Sequence, residues 1–129
     1  MSNNDDTEKD ADYDAALEDV LKSLRGDYLI ELPDRVAEMN EFFDKARSDV
    51  EKQVEWLTEA HTIAHRLAGT AGSYGFAELG RAAAELDQYL KKLLKKDAET
   101  GSVANRLNWQ MLNGLVEEVG KAVPPNPSN

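Results

Sequence analysis

Residues 64–75 read Ala64-His65-Arg66-Leu67-Ala68-Gly69-Thr70-Ala71-Gly72-Ser73-Tyr74-Gly75, and this stretch breaks rules that the rest of the chain obeys. Gly69 and Gly72 fall within a helical pattern, where each costs about 1 kcal/mol relative to Ala. From His65, the positions i+3, i+4 and i+7 are Ala68, Gly69 and Gly72. These are its neighbours on the same helical face, one and two turns on. All three are nearly bare backbone, so the face beside His65 is swept clear of side chains in one direction. Ala64 and Leu67 belong to an inward stripe, and His65 sits one step of about 100° around from Ala64. Its ring tip is therefore expected in solvent, at the boundary of the core. A half-exposed imidazole beside a flat clearing suits the approach of something large, and neutral imidazole is a nucleophile.

Two blander readings compete. The glycines could serve only to let two helices pack closely near a turn, with His65 an ordinary boundary residue. Alternatively, His61 and His65 are spaced i, i+4, as two zinc ligands are. Thr62 stands where an H-E-x-x-H site has its Glu, and no third ligand is evident. No native metal site is expected.

Working outward, helical spacing continues on both sides of this stretch. Upstream, Leu57, Ala60, Ala64, Leu67 and Ala71 form a stripe in threes and fours, and Ser48 and Glu51 have capping-box spacing for its start. Ser73-Tyr74-Gly75 ends that helix. Downstream, Leu79, Ala83, Leu86, Leu90 and Leu93 mark the next one, with Lys91, Lys92, Lys95 and Lys96 in its last turns, where cations suit the helix dipole. A loop over Asp97 to Gly101 follows, then Ser102 as a cap and a last helix containing Leu107, Met111, Leu112, Leu115 and Val119. Nearer the N-terminus, Leu29, Leu32, Val36, Met39 and Phe43 mark another helix, which Pro33 should kink or begin. Leu17, Leu21 and Leu24 indicate a short extra helix ending near Gly26. The spacing predicts an all-α fold: an up-down-up-down antiparallel four-helix bundle, with the short N-terminal helix covering one end.

The chain has 129 residues, enough for one domain with a real core, and no cysteine, which excludes a disulfide framework or a thiol nucleophile. Its formal charge is −10, a poor basis for holding nucleic acid or an anionic membrane. Residues 1–19 hold eight acids and one base, a net of −7, so the remainder carries only −3. Residues 1–10 are expected to be a disordered acidic leader, residues 11–123 the bundle domain, and residues 124–129 a loose Pro-rich tail. No apolar run approaches the roughly 20 residues of a membrane span, no Walker loop, dinucleotide fingerprint or nucleophile elbow is present, and a cytoplasmic monomer is expected.

The run from Ala64 to Asp87, AHRLAGTAGSYGFAELGRAAAELD, resembles the signature of histidine phosphotransfer domains. His65, Leu67, Gly69, Gly72, Gly75, Phe76 and Leu79 all fall in place. The earlier YLIELPDRVAEMN, residues 28–40, is similar to that family's Pro-containing helix, so the resemblance spans about residues 27–96. It implies a four-helix bundle that relays a phosphoryl group between receiver-domain aspartates, from a sensor or hybrid histidine kinase to a response regulator, with His65 as phosphoacceptor. It implies a carrier and not an enzyme, with no cofactor of its own and Mg²⁺ brought by the receiver. Many members have Lys three residues after the histidine, where this chain has Ala68. Leu57, Thr58, His61, Ala64, Arg66, Ala68, Gly69 and Gly72 are the expected partner-binding residues. Gln88, about level with His65 across the turn, and Lys91, a turn further on, are candidates to neighbour the phosphoryl group, and Arg81 is a further candidate cation. The rival reading is a helical module that docks a receiver domain without phosphotransfer.

Overall fold

The computed structural model describes residues 3–95 and 102–125, with side chains from Asp12 onward. Its helices are α1 (Asn3–Ser48), α2 (Gln53–Thr70), α3 (Ala77–Leu94), α4 (Val103–Arg106) and α5 (Trp109–Ala122), with a 3-10 turn at Gly72–Tyr74 between α2 and α3. No strand occurs among the described residues. The apolar stripes meet in one core. Leu32, Met39 and Phe43 of α1, Leu57, Ala60, Ala64 and Leu67 of α2, Leu79, Leu86 and Leu90 of α3, and Leu112 and Val119 of α5 are all buried.

Side-chain contacts fix the directions. Buried Gln53 at the start of α2 donates through Nε2 to the Ala46 carbonyl near the end of α1, 3.2 Å away. Tyr28 lies 3.1 Å, hydroxyl to hydroxyl, from Thr70 at the far end of α2, so α1 and α2 run antiparallel. Beyond the turn, Gly80 of α3 meets the backbone of Gly72: a β-carbon at Gly80 would lie 3.3 Å from the Gly72 nitrogen. Tyr89 of α3 donates its hydroxyl to the Asn108 carbonyl, 3.4 Å away, just before α5.

Three expectations about helix ends are corrected. The anticipated short first helix and the helix after it are one helix of 46 residues, continuous through Gly26 and Pro33. Gly26 does not end it because its neighbours are tied down on either side. Arg25 Nε donates to the Tyr74 carbonyl at 2.7 Å, and the Tyr28 ring stacks on Tyr74 and Phe76 with centroids 4.7 and 5.9 Å apart. Pro33 sits exposed between the buried Leu32 and the half-buried Val36, whose packing holds the helix through the loss of one backbone hydrogen bond. Residues 3–10, expected as a disordered leader, lie in the first turns of α1. Leu17, Leu21 and Leu24 cover no bundle end; each is more than 40% exposed on a segment that extends past the α2–α3 turn.

Ser48 and Glu51 form no capping box. Ser48 turns back to the carbonyls of Asp44 and Lys45 at the end of α1, while α2 begins after Lys52 with no side-chain cap. Ser102 does cap a helix, accepting from the Asn105 amide, but that helix is the one-turn α4. Leu107 is extended, and Asn108 caps α5 by accepting from the Met111 amide at 3.1 Å. Met111 is consequently exposed and outside the core. The expected loop at residues 97–101, Lys96, and residues 126–129 of the expected tail lie outside the described residues.

Candidate functional site

His65 stands in the middle of α2, one step off the buried stripe, because Ala64 and Leu67 on either side face the core. Its side chain is 73% exposed, further into solvent than the boundary position expected. Gly69 and Gly72 beside it are exposed, and a β-carbon at either would have no other element within 4 Å. The clearing is thus open surface, not a helix-packing device. The close helix packing that the blander reading gave to Gly69 and Gly72 is achieved by Gly80, which lets α3 approach the Gly72 backbone. Gly75 makes the turn possible at φ 89°, in the left-handed region that favours glycine.

The ring of His65 is not isolated. Its Nδ1 lies 3.2 Å from Oδ2 of Asp87 on α3. The other carboxylate oxygen, Oδ1, lies 2.7 Å from Nε2 of His61. The two imidazole centroids are 6.2 Å apart, one helical turn. The carboxylate side chain is only 13% exposed and that of His61 only 25%. A carboxylate accepts and does not donate, so the bonds to Asp87 place a hydrogen on Nδ1 of His65 and on Nε2 of His61. The Nε2 of His65 then carries the ring's free lone pair, directed away from Asp87.

Asp87 was not singled out by sequence reasoning, although it closes the motif-bearing run and follows buried Leu86. On a helix with this many charges it reads as one more solvated acid. The available signal was register: with the turn near Gly75, residues 61–65 of α2 come level with 85–89 of α3, where Glu85 and Asp87 are the two acids flanking buried Leu86.

The other expected site residues separate into two groups. Thr58, Ala68, Gly69 and Gly72 stay on or beside the face of His65, exposed or partly so. Leu57 and Ala64 are fully buried, and cannot line a docking surface. Both belong to the core stripe, and a helix position cannot serve both faces. His61 is turned inward to Asp87. Arg66 is exposed but sits toward α1, at a cleft of about 230 Å³ that it lines with Tyr28, Glu31, Arg35 and Thr70. Burial pushes the Tyr28 hydroxyl pKa up there, against the lowering effect of its bond to Thr70. That cleft lies on the flank of α2 away from His65.

Gln88 also points elsewhere: it is exposed and shares a shallow surface with Tyr89, Met111 and Leu115 between α3 and α5. Lys91 is exposed, and among the described residues neither Gln88 nor Lys91 bonds His65. Arg81 is engaged by Glu78 at 3.0 Å and Glu85 at 3.2 Å on its own helix, which raise its pKa, Glu78 foremost. Among the described residues no group of three or more His, Cys, Asp or Glu side chains is arranged to hold a metal ion. Nor is any helix among them long and apolar enough to cross a membrane.

The imidazole of His65, with bare backbone beside it, lies on an open surface and not in an enclosed pocket. The sequence pattern of the Hpt domain matches residues 23–121, and the chain belongs to that family. Hpt domains act in histidine phosphotransfer within two-component phosphorelays, as phosphocarriers and not as catalysts, and interact with receiver domains and histidine kinases. No curated protein and no solved structure gives a match to the chain.

Proposed function

We propose that this chain relays a phosphoryl group through Nε2 of His65, between the aspartate of one receiver domain and that of another, within an up-down-up-down bundle. The observation that carries the reading is the 73% exposure of His65 beside the open backbone of Gly69 and Gly72. The Nε2 lone pair attacks the phosphorus of a receiver's aspartyl phosphate in line with the bond that breaks. A nitrogen–phosphorus bond forms, the phosphorus–oxygen bond breaks, and the receiver's carboxylate leaves as an anion. The reverse sequence delivers the group to the next receiver. Mg²⁺, which neutralises phosphoryl charge during such transfers, belongs on this reading to the receiver. The upstream kinase is a sensor or hybrid histidine kinase, and the downstream partner a response regulator.

Thr58, Gly69 and Gly72, which are exposed, and the half-buried Ala68 form the docking face, and Arg66, on the adjoining flank toward α1, meets acidic groups of the receiver. Incubation with a phosphorylated receiver domain tests the proposal. The chain should acquire acid-labile, base-stable label, His65→Gln should fold normally and acquire none, and His61→Gln should still be labelled. Label persisting in His65→Gln would overturn the assignment. A folded wild-type chain that binds the receiver yet is never labelled would instead establish the docking module.

A further inference from the structure

The inward face of α1 does not stop where the bundle stops. Leu32, Met39 and Phe43 on that face are buried. Nearer the N-terminus, Arg25 meets the Tyr74 carbonyl and Tyr28 stacks on Tyr74, so α1 passes the α2–α3 turn at about this level. Beyond it, Tyr13, Leu17, Val20, Leu21 and Leu24 are 43% to 69% exposed. Counted from Tyr13 they fall at i, i+4, i+7, i+8 and i+11, one stripe about 100° wide that continues the line of Tyr28. The Hpt pattern begins at residue 23, so nearly all of this stripe lies outside what the family shares.

We propose that this stripe docks an amphipathic helix of a partner protein, one whose apolar face is bordered by Lys and Arg. The margins of the stripe select that occupant. At about 100° per residue, Asp14 and Glu18 border it on one side and Asp27 on the other, and all three are exposed. Of the bases nearby, Arg25 is held by the Tyr74 carbonyl, and Lys22 projects about 140° around the helix from Leu17. A second copy of this chain would set acidic margin against acidic margin in either direction. Residues 13–24 also span only about 18 Å, short of the roughly three to four heptads that mark a coiled coil. The same margins repel an anionic lipid surface. A basic helix instead meets apolar stripe and acidic border together, with anchors spaced by three and four residues. The site leaves the imidazole of His65 open. Thr70 is level with Tyr28; His65 lies about 7 Å from that level toward the middle of the bundle, and the stripe runs from about 6 to 22 Å the other way. The proposal does not depend on which residue accepts a phosphoryl group.

Two fluorescein-labelled synthetic peptides test it, titrated with the full chain and followed by fluorescence polarisation. Both are amphipathic helices with a Leu stripe; one has Lys along its borders and the other Glu at the same positions. The Lys peptide should bind wild type at least about tenfold more tightly than the Glu peptide, and more weakly as salt is added. The double variant Leu17→Gln/Leu24→Gln should melt at the wild-type temperature, since both side chains are exposed, and bind the Lys peptide at least about tenfold more weakly. The triple variant Asp14→Asn/Glu18→Gln/Asp27→Asn should bind it more weakly and with less dependence on salt. The chain has two histidines, and the ring signals of both in the ¹⁵N-histidine-labelled protein should not move when the Lys peptide binds. Equal binding of the Lys peptide by wild type and Leu17→Gln/Leu24→Gln would overturn the proposal, as charge alone would then explain the contact. So would two peptides that bind alike, or a wild-type chain that binds neither. Sedimentation equilibrium showing a wild-type dimer that dissociates in Leu17→Gln/Leu24→Gln would assign the stripe to a second copy and overturn it as well. A shift of the His65 ring on binding would refute the placement clear of that residue.

Discussion

Replacing Gly69 should separate the stability of this protein from its function. Gly69 is the next-to-last residue of α2, one turn from His65, and a β-carbon there would have no other element within 4 Å. Its backbone φ is not positive, so an L side chain causes no strain. Gly69→Ala should therefore stabilise the isolated protein, by about 0.5–1 kcal/mol from helix propensity and the stiffer unfolded chain. The lower figure suits a position so close to the helix end. For a domain of this size that is a rise in Tm of about 2–4 °C. Gly69→Leu should be close to Ala in stability, since Leu ranks just below Ala as a helix former. The docked state differs. If the receiver packs on bare backbone beside His65, four added carbons intrude on a close contact, and overpacking costs about 1–3 kcal/mol. That slows transfer by about five- to 150-fold. Thermal melting followed by circular dichroism, and the initial rate of label uptake from a phosphorylated receiver, read the two effects. A Gly69→Leu protein that transfers as fast as wild type would refute steric access as the reason for this glycine, and a large drop in Tm for Gly69→Ala would refute the open environment itself.

The same type of substitution should have the opposite sign at Gly80, where the β-carbon position is only 3.3 Å from the Gly72 nitrogen. Gly80→Val should destabilise by about 1–3 kcal/mol, measured by urea denaturation; equal or greater stability would show that the α2–α3 turn yields easily. Arg66→Ala should slow transfer at low ionic strength and lose that effect as salt is added, with little change in Tm, because an exposed cation acts on encounter more than on folding. A salt-independent loss would mean that Arg66 supports structure at the α1–α2 cleft.

The core stripes were legible from spacing because the 3.6-residue period is a local property of the chain. Leu57, Ala60, Ala64, Leu67, Leu79, Leu86 and Leu90 are all buried as that period requires. The exposure of His65 followed from the same geometry, one step from Ala64, and so did the bare face at Ala68, Gly69 and Gly72. The sequence alone thus determined the helical class, the inward faces and the candidate nucleophile. Helix ends were read less well, because propensity at Gly26 and capping at Ser48 are worth about 1 kcal/mol each. Contacts distant in sequence outweigh them: Arg25 and Tyr28 on the 74–76 turn keep α1 intact through Gly26, and the Gln53–Ala46 bond sets the start of α2.

What only the tertiary structure decided is which residues of one helix meet which of another. Periodicity shows that Asp87 is polar and beside the core stripe, but not that α2 presents two histidines to it. Gln88, its chain neighbour, is about 100° further around the helix and faces α5 instead. A single residue step on α3 therefore separates a side chain bonded to His65 from one that never reaches it. The pairing of α2 with α3, held by the Gly72–Gly80 approach and the Gly75 turn, sets that register, and the sequence period of one helix carries no record of the register of its neighbour.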